Sequence, residues 1–199
     1  MNHLLIFARH PELGRVKTRL AATIGAEAAL AVYHELLHRT RLAADGLTGA
    51  HKTVWFAEAT TAPDLASAWP GYEQALQPGG DLGQKMQEAF KQAFGQGATA
   101  AVVIGTDCPG LTATHLTAAF QALTTHDLVL GPAADGGYYL LGMKDLHKGL
   151  LRDKPWSTAQ VLPATLADAT NLGLSVALLP VLHDVDTADD LAAWRKAER

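Results

Sequence analysis

The 199-residue sequence contains a single cysteine, Cys108, and this scarcity excludes an internal disulfide. The fold must therefore be held by its core, and we expect a reducing, cytoplasmic environment. Positive charge is also scarce: 16 lysines and arginines stand against 20 aspartates and glutamates, for a formal net charge of -4. Such a mildly acidic chain lacks the basic surplus of a nucleic-acid-binding protein, so any anionic ligand must be held by a local group of cations.

Long apolar runs are missing as well. The amino-terminal segment 1–7 has no basic stretch and too short an apolar run for a signal peptide, and nothing approaches the length of a membrane span. Neither a Walker A loop nor a G-x-G-x-x-G motif is present. Hydrophobic residues make up 48% of the chain, and no repeat, low-complexity tract or linker-like segment interrupts it, which favours one domain over residues 1–199.

What the sequence does contain is an alternation of short apolar runs and helical patterns. Strands are predicted at 4–8, 53–57, 72–77, 101–104, 127–131, 138–142 and 174–179. Helices are predicted at 27–45, 61–69, from the glycine-rich loop to about 94, and at 113–123, 156–171 and after Thr187. Because the alternation continues to the end, we expect a three-layer α/β/α fold with a mostly parallel sheet and an antiparallel element within 127–142.

The run at 101–104 is apolar at every position, which is typical of a central parallel strand buried on both faces. It ends in Gly105-Thr-Asp, and ligands of open α/β sheets gather at the carboxyl ends of the strands. Asp107 is therefore a candidate ligand-binding carboxylate. It could instead organise the turn, but Thr112 is better placed to cap the next helix. The adjacent Cys108 is expected to be inert, because a neighbouring carboxylate raises the pKa of a thiol.

A basic loop follows the first predicted strand. Its cations are Arg9, Arg15, Lys17 and Arg19. The position at the carboxyl end of a strand favours phosphate binding, most of all by Lys17 and Arg19, and Gly14 lets the backbone approach a ligand. The alternative is a solvated loop with ordinary surface charges.

Two further loops carry weaker signals. The glycine-rich segment 77–86 contains Gly80, Asp81 and Gly83, and it could admit a sugar or base against its backbone or be a flexible turn. In the segment 132–138, the Asp-Gly-Gly sequence beginning at Asp135 is typical of a hairpin turn. Asp135 could also face a substrate across the paired glycines, and both interpretations can hold.

Two patterns involve possible metal ligands. His34-Glu-Leu-Leu-His38 matches H-E-x-x-H, with Glu58 downstream, and would make the protein a zinc hydrolase. This alternative is disfavoured because both histidines flank the buried stripe of the helix and the short pattern arises easily by chance. Near the carboxyl end, Thr187 and Asp190 are expected to form a capping box.

The capping box leaves the two preceding aspartates available. Asp184 and Asp186 are not needed to cap the terminal helix. One of them could therefore reach a metal ion held by Asp107.

Five blocks of this sequence together resemble the DUF2064 family. They are Phe7-Ala-Arg-x-Pro-x-x-Gly-x-x-Lys-Thr-Arg-Leu, Gly80-Asp-Leu-Gly-x-x-Met, Ile104-Gly-Thr-Asp-Cys-Pro, Gly131-Pro-x-x-Asp-Gly-Gly-Tyr-Tyr and Asp184-Val-Asp-Thr-x-x-Asp-Leu. The family is also described as a radical-SAM/selenodomain-associated transferase or glycosyltransferase of the GT-A nucleotide-diphospho-sugar transferase superfamily. The blocks span nearly the whole chain in order.

The resemblance implies a Rossmann-like GT-A fold that binds a nucleotide through Mg²⁺ or Mn²⁺. Lys17 and Arg19 match a phosphate-holding loop, the 79–83 loop would lie beside the nucleoside, and Asp107 takes the position of the metal-binding aspartate. Thr106 stands where many glycosyltransferases have the first aspartate of D-x-D. In this respect the loop is similar to those of the molybdenum-cofactor and lactyl-phosphate guanylyltransferases, which also share a terminal motif similar to the Asp186 segment.

The favoured prediction is a metal-dependent transferase that moves a sugar from a nucleotide diphosphate donor to a small acceptor. Asp107, Asp184 and Asp186 would hold the cation. The expected nucleotide- and phosphate-binding residues are Arg9, Gly14, Lys17, Arg19, Gly80, Asp81, Gly83 and Thr106. Lys17 and Asp135 are the expected catalytic residues, Asp135 as the base. The alternatives are a nucleotidyltransferase that joins an NTP to a phosphorylated metabolite, and a nucleotide-binding module without turnover.

Overall fold

One continuous sheet organises the computed structural model, which describes residues 1–59 and 69–198. Its strands are β1 (Asn2–Ala8), β2 (Ala50–Phe56), β3 (Glu73–Leu76), β4 (Ala100–Ile104), β5 (Leu128–Pro132), β6 (Tyr138–Met143) and β7 (Val176–Leu178). They lie in the order β3-β2-β1-β4-β6-β5-β7. Only β6 is antiparallel to its neighbours β4 and β5. The mostly parallel sheet and the antiparallel element within 127–142 are therefore confirmed.

Helices cover both faces of the sheet. They are α1 (Thr18–Ile24), α2 (Ala26–Asp45), α3 (Leu82–Gly95), α4 (Ala113–Ala122), α5 (Val161–Asn171) and α6 (Ala188–Ala197), with a 3₁₀ turn at Lys148–Leu150. Side chains of α2 and α4 share one core cluster, and those of α3 and α5 share the other. No helix in the described part of the chain has the length and apolarity needed to cross a membrane. The predicted helix at 61–69 lies, apart from Trp69, outside the described residues.

The central strands are buried on both sides, which explains their uninterrupted apolar sequence. In β1, Leu4 and Ile6 belong to the core cluster beneath α2 and α4, whereas Leu5 belongs to the cluster beneath α3. Every residue of β4 is buried. The two core layers are therefore built on the same strands.

Two helix boundaries differ from the sequence prediction. α1 begins at Thr18, inside the segment predicted to be a loop, and the residue before it, Lys17, has left-handed backbone angles of φ 46 and ψ 44. Such angles are unusual for lysine. Lysine is also not a usual helix N-cap residue, so the sequence gives no sign that a helix begins there. α5 begins at Val161 rather than at Trp156, because the Trp156 ring packs edge-on against Tyr138 and Ser157 is left-handed, with φ 62.

The order of the strands defines a switch point. After β1, the chain adds β2 and β3 on one side of that strand and then crosses to place β4 on the other side. Ligands of open α/β sheets bind outside the carboxyl ends of the strands where the order reverses. The place to look for a site is therefore the end of β1 and β4.

Candidate functional site

A cleft of about 610 Å³ opens at the carboxyl ends of β1 and β4. Its walls come from the segment after β1, the segment after β4, the start of α3 and the first residues of β6. Among residues 1–59 and 69–198, the charged residues that line it are Arg9, Arg15, Lys17, Arg19 and Lys85, with Asp107 and Asp186. Cations thus outnumber carboxylates in the cleft, although the whole chain carries a formal net charge of -4. This is the local group of cations that an anionic ligand requires.

Lys17 lies at the centre of the charged lining. Only 5% of its side chain is exposed, and its Nζ donates hydrogen bonds to Oδ1 of Asp107 and to Oδ1 of Asp186, the latter at 2.8 Å. Burial by itself would lower the pKa of Lys17, but the Asp107 and Asp186 carboxylates outweigh it and raise the pKa above its ordinary value. The ammonium therefore stays protonated between the two carboxylates.

Val185 explains how Asp186 comes to the same place as Asp107. Its backbone N–H donates to the Asp107 carbonyl oxygen at 3.0 Å. Its side chain is buried in a small cluster with Leu20 of α1 and Leu36 of α2. One residue therefore fixes the segment before α6 to the loop after β4, and Asp186 follows directly. Thr187 and Asp190 form the predicted capping box of α6.

Asp184, on the other side of Val185, has a different partner. Its Oδ1 accepts a hydrogen bond from the Cys108 Sγ at 2.5 Å. Burial, followed by repulsion from the Asp107, Asp135 and Asp186 carboxylates, raises the pKa of Asp184 to about 6. Burial and the Asp184 carboxylate also raise the pKa of the Cys108 thiol far above its ordinary value, in the direction that the sequence predicted.

The carboxylates fit a divalent cation only in part. Among residues 1–59 and 69–198, no three His, Cys, Asp or Glu side chains converge closely enough to hold a metal ion by themselves. Asp107 and Asp186 form a pair instead, with side chains 46% and 42% exposed and one ammonium between them. Magnesium in proteins is commonly held by one or two carboxylates together with substrate phosphates. The pair therefore suits a metal ion whose remaining ligands come from a bound nucleotide.

The three predicted phosphate-binding arginines surround the cleft and remain accessible. Arg9 pairs with Glu58 at 3.2 Å and is 56% exposed, and Arg15 pairs with Glu12 at 2.9 Å and is 62% exposed. Arg19 Nη1 lies 3.8 Å from Oδ2 of Asp186, with 73% of its side chain exposed. Surface pairs of this kind contribute little to stability and can be exchanged for a ligand. Gly14 lies exposed in the same loop.

Tyr33 is a site residue that the sequence did not single out. Its hydroxyl accepts from the Arg9 N–H at 2.9 Å and donates to the Arg9 carbonyl at 3.1 Å, so it fastens the start of the basic loop to α2. Burial raises the pKa of Tyr33. Tyr33 lies on the buried stripe of α2, and nothing in the sequence pattern of that stripe distinguishes it from a core residue. Thr106 is also buried and lies in the cleft wall.

The glycine-rich loop shapes the cleft without lining it at the predicted positions. Asp81 is the N-cap of α3 and exchanges capping-box hydrogen bonds with Gln84, at 2.8 and 2.9 Å. A side chain at Gly83 would collide with the Leu151 carbonyl oxygen, so the glycine lets α3 approach that backbone. Gly80 and Asp81 form the turn before α3, Gly83 lies in the first turn of that helix, and other side chains of the segment line the cleft. They are Gln77, Leu82, Lys85 and Met86.

Asp135 occupies the turn between β5 and β6. Its Oδ1 accepts a hydrogen bond from the Gly137 N–H at 2.8 Å, so it organises the hairpin as one sequence interpretation predicted. It is exposed and does not line the cleft, yet its charge contributes to the raised pKa of Asp184. The turn is therefore adjacent to the acidic segment before α6.

The H-E-x-x-H residues do not form a metal site. His34 and His38 are exposed on α2. The Glu35 carboxylate is held by both terminal nitrogens of Arg195, at 2.9 and 2.5 Å, and Glu58 pairs with Arg9. The Glu35–Arg195 pair ties α2 to α6, the Glu58–Arg9 pair joins the segments after β2 and β1, and both glutamates are thus explained without zinc.

Comparison with known proteins places the chain in a family. Residues 40–158 match the family model DUF2064, described as an uncharacterized protein conserved in bacteria. The chain belongs to the DUF2064 family. A crystal structure from Desulfovibrio desulfuricans G20, described as that of a putative nucleotide-diphospho-sugar transferase, shares 30% identity with this DUF2064 chain. The match covers 100% of this chain and 87% of the other, with a TM-score of 0.91. The family resemblance is thereby confirmed.

More distant structures share the fold. Rv0371c from Mycobacterium tuberculosis H37Rv, solved in complex with manganese, is 18% identical to the DUF2064 chain over 98% of each chain, with a TM-score of 0.60. The inositol-1-phosphate CTP transferase from T. maritima is 13% identical over 96% of this chain and 91% of the other, with a TM-score of 0.57. The Rossmann-like GT-A fold class is therefore confirmed. Among curated proteins, no sequence match was found.

Proposed function

We propose that this DUF2064 protein is a metal-dependent transferase that binds a nucleotide-activated donor in the cleft and moves a sugar to a small acceptor. The observation that carries the proposal is the convergence of Lys17, Asp107 and Asp186 in a cation-lined cleft at the switch point of the sheet. A diphosphate needs cations and a metal ion needs carboxylates, and this cleft supplies both. The description of the D. desulfuricans relative as a nucleotide-diphospho-sugar transferase supports the same function.

The cations of the cleft have separate parts in this proposal. Lys17 would hold a bridging or terminal oxygen of the diphosphate from the floor of the cleft. Arg9, Arg15 and Arg19 are more than half exposed, so each can turn from its carboxylate partner toward a phosphate. Held in this way, the negative charge that develops on the leaving nucleoside diphosphate is stabilised while the sugar transfers.

Asp107 and Asp186 would hold Mg²⁺ or Mn²⁺ together with the donor phosphates, whereas Asp184, the third ligand expected from the sequence, is hydrogen-bonded to Cys108 instead. The manganese complex of Rv0371c, which shares the fold, supports a divalent cation as part of this proposal. When bound, the cation would offset negative charge on the diphosphate. Asp135 is the proposed base and would accept the proton of the acceptor hydroxyl at a carboxylate oxygen. Its exposed position suits an acceptor that arrives from solvent.

The Asp107→Asn variant tests the proposal, because it keeps the shape of the side chain and removes its charge. We expect nucleotide with Mn²⁺ to raise the melting temperature of the natural protein, and the metal-dependent part of that rise to be lost in the variant. Turnover should fall by at least about a hundredfold. Asp145→Asn is the matched control, since Asp145 is exposed beyond the far end of β6 and should leave both measurements unchanged. A metal-dependent shift that survives in Asp107→Asn would contradict the proposed role.

Nucleotidyl transfer is the second candidate, and one observation favours it. The loop after β4 offers one carboxylate, Asp107, where a D-x-D motif would supply two, and the neighbouring Thr106 is only 4% exposed. The T. maritima structure, named as a CTP transferase, has the same fold. In this reaction an acceptor phosphate oxygen attacks the α-phosphorus of an NTP, and pyrophosphate leaves.

The two reactions differ in their small product. Sugar transfer breaks the bond between the sugar and the diphosphate and releases a nucleoside diphosphate, whereas nucleotidyl transfer releases pyrophosphate. Incubation with nucleotide sugars and with NTPs in the presence of Mn²⁺, followed by separate assays for each product, decides between them. Binding of nucleotide with Mn²⁺ but refusal of every acceptor and of water would instead support a nucleotide-binding module without turnover.

A further inference from the structure

We infer that Lys17 is an internal competitor for the metal ion, so that the cation and the nucleotide can bind well only together. The Lys17 ammonium lies between Asp107 and Asp186 and donates to both, at the place that a divalent cation would need. The inference rests on the proposed function, because it concerns the same cleft. It adds that the protein binds the free metal ion weakly until the phosphates of a nucleotide take over the hydrogen bonds of the Lys17 ammonium.

The geometry of the two carboxylates carries the first step. Both present Oδ1 to the same Nζ, and the Lys17 side chain is 5% exposed whereas the carboxylates are 46% and 42% exposed. The ammonium therefore lies beneath the pair, on the protein side. Oδ2 of Asp186 faces a further cation, since Arg19 Nη1 is 3.8 Å away. A divalent ion arriving from solvent meets carboxylates whose charge is already compensated, and it is repelled by the compensating groups.

The balance of charge gives the second step. If the metal ion bound alone and displaced Lys17, a buried ammonium would be left without a partner, which is strongly unfavourable. If the nucleotide bound alone and took Lys17, the Asp107 and Asp186 carboxylates would face each other and the phosphates with only the exposed Arg19 nearby to compensate them. When both bind, the ammonium meets a phosphate and the carboxylates meet the metal ion. Each half of the exchange therefore lowers the cost of the other.

A coupling of this kind is reciprocal. The factor by which nucleotide strengthens metal binding must equal the factor by which the metal ion strengthens nucleotide binding. Lysine suits the exchange because its flexible stem and its three donors allow the ammonium to pair with a carboxylate or with a phosphate oxygen. We expect a coupling of at least about tenfold in the natural protein.

Titration with Mn²⁺, followed by the electron paramagnetic resonance signal of the free ion and corrected for the Mn²⁺ that the nucleotide binds without protein, tests the inference without turnover. The natural protein should bind Mn²⁺ weakly alone, and at least about tenfold more tightly when GDP, UDP or CDP is present, each tested in turn. Lys17→Met removes the ammonium and should bind Mn²⁺ alone at least about tenfold more tightly than the natural protein. Lys17→Arg keeps a cation at this position and should resemble the natural protein. Lys85→Met removes a different lysine of the cleft lining and is the matched control.

Thermal unfolding provides a second measurement and a check on folding. Lys17→Met should melt at a lower temperature than the natural protein, because its two carboxylates repel each other. Mn²⁺ alone should restore much of that loss while leaving the melting temperature of the natural protein unchanged. If Lys17→Met does not fold, Lys17→Gln provides the same comparison. The coupling between nucleotide and metal ion in the natural protein is measured without any variant.

The failures of this inference and of the proposed function are distinguishable. The inference is overturned if the natural protein binds Mn²⁺ equally with and without a nucleotide. It is also overturned if Lys17→Met binds Mn²⁺ no more tightly than Lys85→Met does. In both cases binding of nucleotide with Mn²⁺ leaves the proposed function in place. If no nucleotide binds with Mn²⁺ while Lys17→Met still gains affinity for the metal ion, the proposed function is wrong and the competition stands.

Discussion

Cys108 shows how strongly surroundings can change the chemistry of one residue. The thiol is buried and donates to the Asp184 carboxylate, and burial together with that carboxylate keeps its pKa high. Because the thiolate is the reactive form, we expect iodoacetamide to modify the folded protein at least about a hundredfold more slowly than the urea-unfolded chain. The single cysteine makes the mass-spectrometric measurement unambiguous. Equal rates in the folded and unfolded states would contradict the described environment.

His3 gives a prediction about acid stability. Burial and then repulsion from the His51 imidazole lower the pKa of His3 to about 4. Between its ordinary value of 6.5 and about 4, the unfolded chain carries a proton on His3 that the folded protein does not. The free energy of unfolding therefore falls as the pH is lowered through this window, by about 3 kcal/mol at most from this residue.

Urea unfolding at about pH 7 and about pH 4.5 measures this loss. His3→Gln keeps a polar partner for Thr53, whose hydroxyl lies 2.9 Å from His3 Nε2, but it cannot titrate. We expect the loss between the two pH values to be smaller in His3→Gln than in the natural protein by about 2 kcal/mol. His38→Gln is the control, because His38 is exposed and its replacement should not change the loss. An unchanged loss in His3→Gln would refute the prediction.

At the residue scale, the charged side chains of the site could be selected from the sequence because they follow the ends of predicted strands. Asp107 and Lys17 each follow a buried strand, and the ends of parallel strands meet at one edge of the sheet. The structure brings both together with Asp186, while their roles toward a ligand remain predictions. The direct contact of Lys17 with the two carboxylates could not be predicted from the sequence. Asp186 lies 169 residues after Lys17, and it reaches the site because Val185 is hydrogen-bonded to the Asp107 carbonyl oxygen.

Gly83 carries a prediction at the scale of the helix. α3 packs so closely against the 3₁₀ turn and the residue after it that an added Cβ would collide with the Leu151 carbonyl oxygen. Gly83→Ala should therefore displace α3 and lower the free energy of unfolding by at least about 1–3 kcal/mol. Gly95→Ala changes the same helix at a position where the added methyl group meets open space. It should be neutral or stabilising by about 0.5 kcal/mol. Equal effects in urea unfolding would contradict this packing.

The elements themselves were largely predictable, because buried strands and capped helices leave local signals. The run at 101–104 and the Thr187 cap were placed correctly, and β6 runs antiparallel as the Asp-Gly-Gly turn indicated. α1 was missed because it begins after a left-handed Lys17 that makes no side-chain capping hydrogen bond, so the usual N-cap signal is lacking. The start of α5 was predicted too early, because the packing of Trp156 against Tyr138 overrides its local signal.

For the whole molecule, the shared strands predict cooperative unfolding as one unit. Leu4 and Ile6 support one core layer and Leu5 supports the other, so neither layer can come apart without breaking the same sheet. Calorimetry should show one transition, with a ratio of calorimetric to van't Hoff enthalpy of about 1. Two resolved transitions would mean that the chain contains two independent domains.

The distances along the chain between Lys17 and its partners also constrain when the site can form. The contacts of Lys17 can form only after Asp107, 90 residues later, and Asp186, 169 residues later, have been synthesised. Contacts between residues so far apart in the sequence form slowly, because the conformational entropy of closing a long loop is lost before the contact stabilises the chain. While the polypeptide emerges from the ribosome, most of the sheet can assemble before residue 186 has been synthesised. A nascent chain therefore has most of its sheet before it can recognise a ligand, and the later segment that carries Asp186 completes the pocket.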